Sequence, residues 1–363
     1  MQRTTPAASA IRNLRAAFHC AALFLCASAT AAVTLPPAEI VNPPSPSYGR
    51  LDAVKAQTEQ LLKAKDTAGM EALAADLRKS REQLECGMWL LETFYGSAVD
   101  VPANGDGGRS AMEFYKNWAK DSPESITAHI CLAKAWTEYG WNARGGGYAN
   151  TVSDSGWKLF GERLQNAGDV LKQAAALKEK CPEWTRAAQT VAMGLGASRS
   201  EYMKMVDDAI RAEPTFGGYY EGACFWLLPR WYGQTGDYEK WIAEKASARL
   251  GDDRDIEYAR YIWLFDRLRF PSEIVFGPGR LDWPRARRGY EAWLRRKPDS
   301  LVIESEYARM AVMAGDRKSA AEAFDKVGGK VAPGIWDDKI SLFNQARNFA
   351  YNDGPNPFGK SND

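Results

Sequence analysis

Histidine is nearly absent from this sequence of 363 residues, which holds only His19 and His129. Histidine is the commonest general base and zinc ligand, so a Ser-His-Asp, Cys-His or zinc-hydrolase site would have to use a single imidazole after the first thirty residues. Neither an HExxH nor a GxSxG string occurs. The sequence therefore argues against zinc hydrolases and typical serine esterases, and it predicts neither a metal site nor a cofactor.

Cysteine is scarce as well, and no CxxC pair occurs, so a thioredoxin-like redox role is not expected. Two of the six cysteines lie within the first 31 residues. The disulfide candidates are the other four, Cys86, Cys131, Cys181 and Cys224. An even number in an exported chain favours two disulfides, with three possible pairings, and buried free thiols are the alternative.

Long hydrophobic runs are missing beyond the first thirty residues, so no membrane span is expected in the mature chain. The start combines three arginines, an apolar run over 16–27 and small residues at 29–31. This pattern predicts a signal peptide over 1–31 and an exported bacterial protein, periplasmic or secreted. Its removal leaves 44 basic against 46 acidic residues. Nucleic acid is therefore not an expected partner.

Helical periodicity is what the sequence does contain. A Pro-rich linker is expected over 32–47, where five prolines fall between positions 36 and 46. Beyond it, apolar residues recur at helical spacing, as they do after the capping box formed by Ser198 and Glu201. No stretch alternates with a period of two, so strands are not predicted.

An internal repeat refines this prediction. Ala111, Tyr115 and Pro123 are spaced by four and eight residues, and the same spacing recurs over 286–298. The spacing resembles the tetratricopeptide repeat, in which small residues let two helices approach, an aromatic ring fills the next gap and proline ends a helix. We therefore predict an all-α fold, an irregular tetratricopeptide-like α-α superhelix over 48–351.

The tail over 352–363 contains a phosphate-loop string that runs from Gly354 to Ser361. A working phosphate loop follows a buried strand and begins a helix whose N–H groups hold the phosphates. Here two prolines delete donors and only two residues follow Ser361. We interpret the segment as a flexible tail.

Two segments combine aromatic residues, arginine and helix breakers. The first reads Trp-Asn-Ala-Arg-Gly-Gly-Gly-Tyr-Ala-Asn-Thr-Val over 141–152, and the second reads Leu-Leu-Pro-Arg-Trp-Tyr-Gly over 227–233. Together they resemble a family of exported bacterial helical proteins of unknown function. The resemblance covers roughly 48–270 and implies no activity, cofactor or catalytic residue.

The candidate binding residues lie in or near these two segments. They are His129, Trp141, Arg144, Tyr148, Glu221, Arg230 and Trp231. An arginine beside a helix break can hold a carboxylate or a carbonyl bidentately. It can equally tie loop carbonyls together while the neighbouring tryptophans pack, and we favour this structural interpretation for both arginines. We expect the histidine to pack in the core or the groove.

The sequence favours a non-catalytic protein whose concave helical groove holds a protein or peptide partner in the cell envelope. The alternative is a carbohydrate-binding or hydrolytic enzyme with a carboxylate and arginine site at the two segments, near Glu138, Asp154 and Glu221. A deep pocket that joins Arg144, Arg230 and two carboxylates would favour the enzyme, and a broad open groove would favour the binding protein.

Overall fold

The computed structural model describes residues 33–103, 106–266 and 274–359, so the predicted signal peptide lies outside the described residues. These ranges contain fifteen α-helices and two very short strands, which confirms the all-α prediction. The helices are α1 Pro46–Ala64, α2 Thr67–Ser80, α3 Leu90–Ser97, α4 Gly107–Asp121, α5 Ile126–Arg144, α6 Asp154–Ala175, α7 Pro182–Gly194, α8 Arg199–Ala212, α9 Gly218–Trp226, α10 Asp237–Ser247, α11 Asp253–Asp266, α12 Trp283–Arg296, α13 Leu301–Met313, α14 Arg317–Val327 and α15 Ile340–Tyr351.

Local sequence signals account for the helix ends. Ser198 and Glu201 form the expected capping box at α8, with the Ser198 N–H donating to Glu201 Oε2 over 3.1 Å. Proline stands in the first turn of α1, α7 and α12, where its missing N–H has no partner to lose. No helix within the described ranges is long and apolar enough to cross a membrane.

The repeat positions form the core between successive helices. Tyr115 and Tyr290 are fully buried, and Ala286 is buried beside Tyr290 on α12. The Tyr115 hydroxyl donates to the Ala98 carbonyl over 3.2 Å, and the Tyr290 ring stacks on Tyr307 with centroids 5.4 Å apart. Sequential helices pack in this way along the chain, as α5 does with α6, α11 with α12 and α13 with α14. The repeated spacing of alanine and tyrosine in the sequence therefore marks the positions where neighbouring helices pack.

The segment expected to be a linker, 32–47, is docked. Its residues Glu39–Ile40 form strand β1, which pairs in parallel with strand β2, Lys330–Val331. The Arg347 guanidinium donates to the Pro36 carbonyl over 2.9 Å, and α1 already begins at Pro46. The Pro-rich segment is thus held against the C-terminal part of the chain, and its short strand corrects the expectation of a chain without strands. An extended Pro-rich backbone makes no local hydrogen bonds. Its N–H and C=O groups therefore form hydrogen bonds with residues far along the chain.

The segment expected to be a flexible tail is packed as far as residue 359. The helical part ends at Tyr351 as predicted, and Arg317 then donates to the Gly354 carbonyl over 3.1 Å. Asn356 donates to the Val312 carbonyl over 2.6 Å, and the Phe358 ring lies 4.9 Å from the Arg309 guanidinium carbon. The end of the phosphate-loop string, Lys360 and Ser361, falls outside the described residues.

The disulfide prediction also needs correction, because Cys86, Cys131, Cys181 and Cys224 are all buried and none of them forms a disulfide. Each thiol lies in the core, and burial raises the pKa of the last three. The Cys181 thiol is 3.6 Å from the Tyr95 hydroxyl. The alternative considered from the sequence, cysteine used as a small apolar core residue, describes all four positions.

Candidate functional site

Two adjoining cavities form a groove along α3. One has a volume of about 430 Å³ and lies between α3, α5, α7 and α9, and we call it the acidic pocket. The other has a volume of about 710 Å³ and lies between α1, α3 and α4, and we call it the lysine cleft. Gly96 and Val99 line both cavities, so the cavities meet at the end of α3. The two cavities are therefore neighbours at this end of the helix.

The residues that line the acidic pocket recur at the same spacing along three stretches of the chain, at α3, α5 and α7. The spacing is i, i+3, i+4 and i+7, which places four positions on one helix face, although the last position of the α3 set follows the helix end at Ser97. The sets are Glu92, Tyr95, Gly96 and Val99 at α3, Lys134, Thr137, Glu138 and Trp141 on α5, and Glu183, Arg186, Ala187 and Thr190 on α7. Glu221 on α9 completes the lining. Each helix thus turns a half-polar face towards the pocket while its other residues pack in the core.

The carboxylates of the acidic pocket are buried to different degrees. Glu183 is only 3% exposed, its Oε1 is 2.6 Å from Lys134 Nζ, and its buried Oε2 has no hydrogen-bond partner in the described part of the chain. Glu138 Oε1 accepts from the Val101 N–H over 2.9 Å, and burial raises the pKa of this carboxyl. Glu221 is buried as well. Four glutamates thus face two cations, Lys134 and Arg186.

The two segments singled out in the sequence meet beside this pocket. Trp141 forms part of the pocket lining, and its ring packs edge-on against Trp231 with centroids 6.2 Å apart. Phe160 and Phe225 extend the cluster, at 4.7 Å from Trp141 and 5.4 Å from Trp231. The rings hold Trp141 in one orientation, so the pocket has a rigid aromatic side.

The two arginines that the sequence suggested lie outside the pocket lining. The Arg144 guanidinium stacks over the rings of Trp141 and Trp157, and its Nη1 donates to the carbonyls of Gly145 and Gly147, both over 3.1 Å. Arg230 lies over the ring of Phe225 at 5.6 Å. The structural interpretation, an arginine that ties loop carbonyls together, describes Arg144.

His129 and Tyr148 lie elsewhere. His129 is buried at the start of α5, where its Nδ1 is 2.7 Å from the Ser125 carbonyl. Tyr148 lies in the loop after α5 and is 87% exposed. Of the seven candidate binding residues, only Trp141 and Glu221 line the acidic pocket. The structure does not bring the other five into it.

Sequence reasoning missed most of the residues that form the pocket, namely Glu92, Lys134, Glu183 and Arg186. Each is an ordinary charged residue on a helix, and the one signal in the sequence is its repeated spacing with other polar residues. No group of three or more His, Cys, Asp and Glu side chains in the described ranges could hold a metal ion.

No family model, curated protein or solved structure matches this chain. The geometry of the groove therefore carries the functional inference. Its carboxylates, its paired lysine and its rigid tryptophan provide charge, hydrogen-bond acceptors and one aromatic face. This set of groups is suited to holding a ligand.

Proposed function

We propose that this chain is a non-catalytic binding protein whose groove holds an extended peptide segment of a protein partner in the cell envelope. The observation that carries the proposal is the junction at Gly96 and Val99, the two residues that line both cavities. Each cavity alone has the volume of a small-molecule site, and two in a row suit an elongated ligand. Helical-repeat proteins commonly bind extended segments on such surfaces. The basic and apolar start of the sequence supports the cell envelope as the compartment.

A carbohydrate-binding or hydrolytic enzyme is the second candidate. Trp141 beside Glu138 and Glu221 favours it, because an aromatic face and two acids are what a sugar site uses. The positions of Arg144 and Arg230 count against it, since both lie outside the pocket and contact aromatic rings or loop carbonyls.

Blocking the junction tests the proposal. A Cβ added at Gly96 meets no heavy atom within 4 Å, and Gly96 lines both cavities, so we expect the indole of Gly96→Trp to occupy the groove. A random peptide library displayed on phage is selected on the chain without its first 31 residues, and the enriched peptide is titrated by fluorescence anisotropy. We expect Gly96→Trp to weaken its binding on the order of 100-fold, because the indole fills the path of the peptide.

Gly161→Trp is the matched control. Gly161 also lies in a helix, α6, a Cβ there also meets nothing within 4 Å, and it lines neither cavity of the groove. The proposal fails if no peptide is enriched, or if Gly96→Trp binds the peptide as tightly as Gly161→Trp. Loss of binding in Arg144→Ala and Arg230→Ala alone would move the site to the aromatic cluster. Oligosaccharide turnover that Gly96→Trp abolishes would favour the enzyme.

A further inference from the structure

We propose that the acidic pocket determines the specificity of the groove and takes a basic side chain of the bound peptide, the ammonium group of lysine or the guanidinium group of arginine. This inference rests on the proposed function and narrows it to peptides that carry a positive charge.

The charge of the pocket is the first observation. Its lining holds four carboxylates against two cations, whereas the chain beyond residue 31 has 46 acidic against 44 basic residues. The pocket alone thus has an excess of two acidic residues, as large as that of the whole chain beyond residue 31. A concave site of one sign raises the local concentration of ligands of the opposite sign.

The unpaired oxygen of Glu183 is the second and independent observation. This side chain is almost fully buried and lines the pocket, and Lys134 neutralises it through Oε1 alone. Its Oε2 is buried without a hydrogen-bond donor from the described residues. Because neither water nor a donor among the described residues reaches this oxygen, its negative charge is poorly compensated, and a cation in the pocket would stabilise it electrostatically.

The aromatic side of the pocket fits the same ligand. Trp141 lines the pocket and is braced by Trp231 and Phe160, and its ring already has one cation stacked on it, the Arg144 guanidinium at 5.2 Å. A cation near an indole face within about 6 Å is stabilised by the ring quadrupole. Acidic oxygens and an indole together distinguish a cationic side chain from a neutral one of the same length.

The lysine cleft makes the two ends of the groove opposite in charge. Lys55, Lys63 and Lys65 line that cavity, together with Glu59 and Asp100. Its excess charge is positive, so it does not compete with the acidic pocket for a basic residue. A peptide would therefore place its basic side chain in the pocket and continue past Gly96 towards the lysines.

A comparison of peptide charge with pocket charge tests the inference. The peptide enriched on the wild-type chain is synthesised with its basic residue and with glutamine in that place. Both versions are titrated against wild type, Glu138→Gln and Glu221→Gln. A glutamine at 138 can still accept from the Val101 N–H, so Glu138→Gln removes charge and keeps that contact. The control is Glu162→Gln, an exposed residue of α6 that does not line the pocket.

We expect each pocket variant to weaken the basic peptide about tenfold, or about 1.4 kcal/mol, and to leave the glutamine peptide unchanged. Circular dichroism identifies any variant that fails to fold, and the remaining variant then decides. Enriched peptides without a basic residue, or equal weakening of both peptides, would overturn this inference and leave the proposed function standing. If wild type binds no peptide at all, the proposed function falls and this inference with it.

Discussion

Two ion pairs of similar length, each with a buried carboxylate, lie in different parts of the molecule. In the acidic pocket, Lys134 Nζ is 2.6 Å from Glu183 Oε1, and between α11 and α13, Arg309 Nε is 2.9 Å from Asp266 Oδ2. The Lys134 side chain keeps 25% of its surface exposed, whereas that of Arg309 keeps 2%. The first pair borders a cavity, and the second is enclosed by protein.

The enclosed pair belongs to a larger polar network. Arg309 also donates to the Ile335 carbonyl over 2.9 Å, and the buried Glu306 lies on the same helix. Burial raises the pKa of Glu306 well above its usual range, and the nearby carboxylate of Asp266 raises it further. One guanidinium thus serves two acids, of which Asp266 holds the direct contacts.

The comparison of the two pairs shows what makes a buried acid available to a ligand. Both regions contain the same residue types, so composition alone does not distinguish them. What differs is whether the space beyond the carboxylate is a cavity or packed side chains. A buried carboxylate that is enclosed by protein, such as Asp266, has a structural role. A carboxylate that also lines a cavity, such as Glu183, can in addition contribute to ligand binding.

The largest expected effect breaks the enclosed pair. Arg309→Met should lower the free energy of unfolding by about 3–5 kcal/mol, because it leaves Asp266 buried without its cation. Urea denaturation followed by circular dichroism measures this. Arg295→Met is the control, since Arg295 and Asp252 are both 63% exposed, and it should cost under about 1 kcal/mol. Equal losses in the two variants would show that the Arg309 network adds nothing beyond a surface pair.

A smaller effect is expected at the pair that borders the cavity. Lys134→Met should lower the free energy of unfolding by about 1–2 kcal/mol, because water in the pocket can hydrate the Glu183 carboxylate. The same change should tighten binding of the basic peptide, since it removes a competing cation. Urea denaturation and peptide titration of one preparation measure both. A loss as large as that of Arg309→Met would contradict the distinction between open and enclosed acids.

The smallest effect concerns the pH dependence of the enclosed network. The ordinary pKa of Glu306 is 4.5, and in the folded chain it is raised. Between these two pKa values the folded state binds more protons than the unfolded state, so its stability falls as pH rises through this window. Below pH 4.5 both states are protonated and the contribution is fully present. Glu306→Gln should flatten this slope by up to about 1.4 kcal/mol per pH unit.

Chemical denaturation at a series of pH values measures the slope. The exposed Glu291 on α12 offers the control, and Glu291→Gln should follow the wild-type profile. If Glu306→Gln and wild type show parallel profiles above pH 4.5, Glu306 is ionised in the folded chain and the network is wetter than its burial indicates.

The sequence predicted the parts of the structure that depend on near neighbours along the chain. The capping box at Ser198 formed as expected, the repeat residues Tyr115 and Tyr290 are buried, and the helical part ends at Tyr351. At the site, the sequence indicates Trp141 and Glu221 but gives no comparable signal for the acidic residues beside them. The docked segments around Pro36 and Phe358 were misread for the same reason, since their partners lie far along the chain.

Helix formation in this chain follows from local sequence signals, because caps, proline positions and apolar spacing act within a few residues. The acidic pocket depends instead on the packing of distant helices, because it joins one face from each of α3, α5 and α7 with Glu221 of α9. That packing also decided which acids are enclosed and which border a cavity. Whether an acid is enclosed or borders a cavity depends on how the helix faces pack together. The sequence around a charged residue is of the same kind in both cases and does not distinguish them.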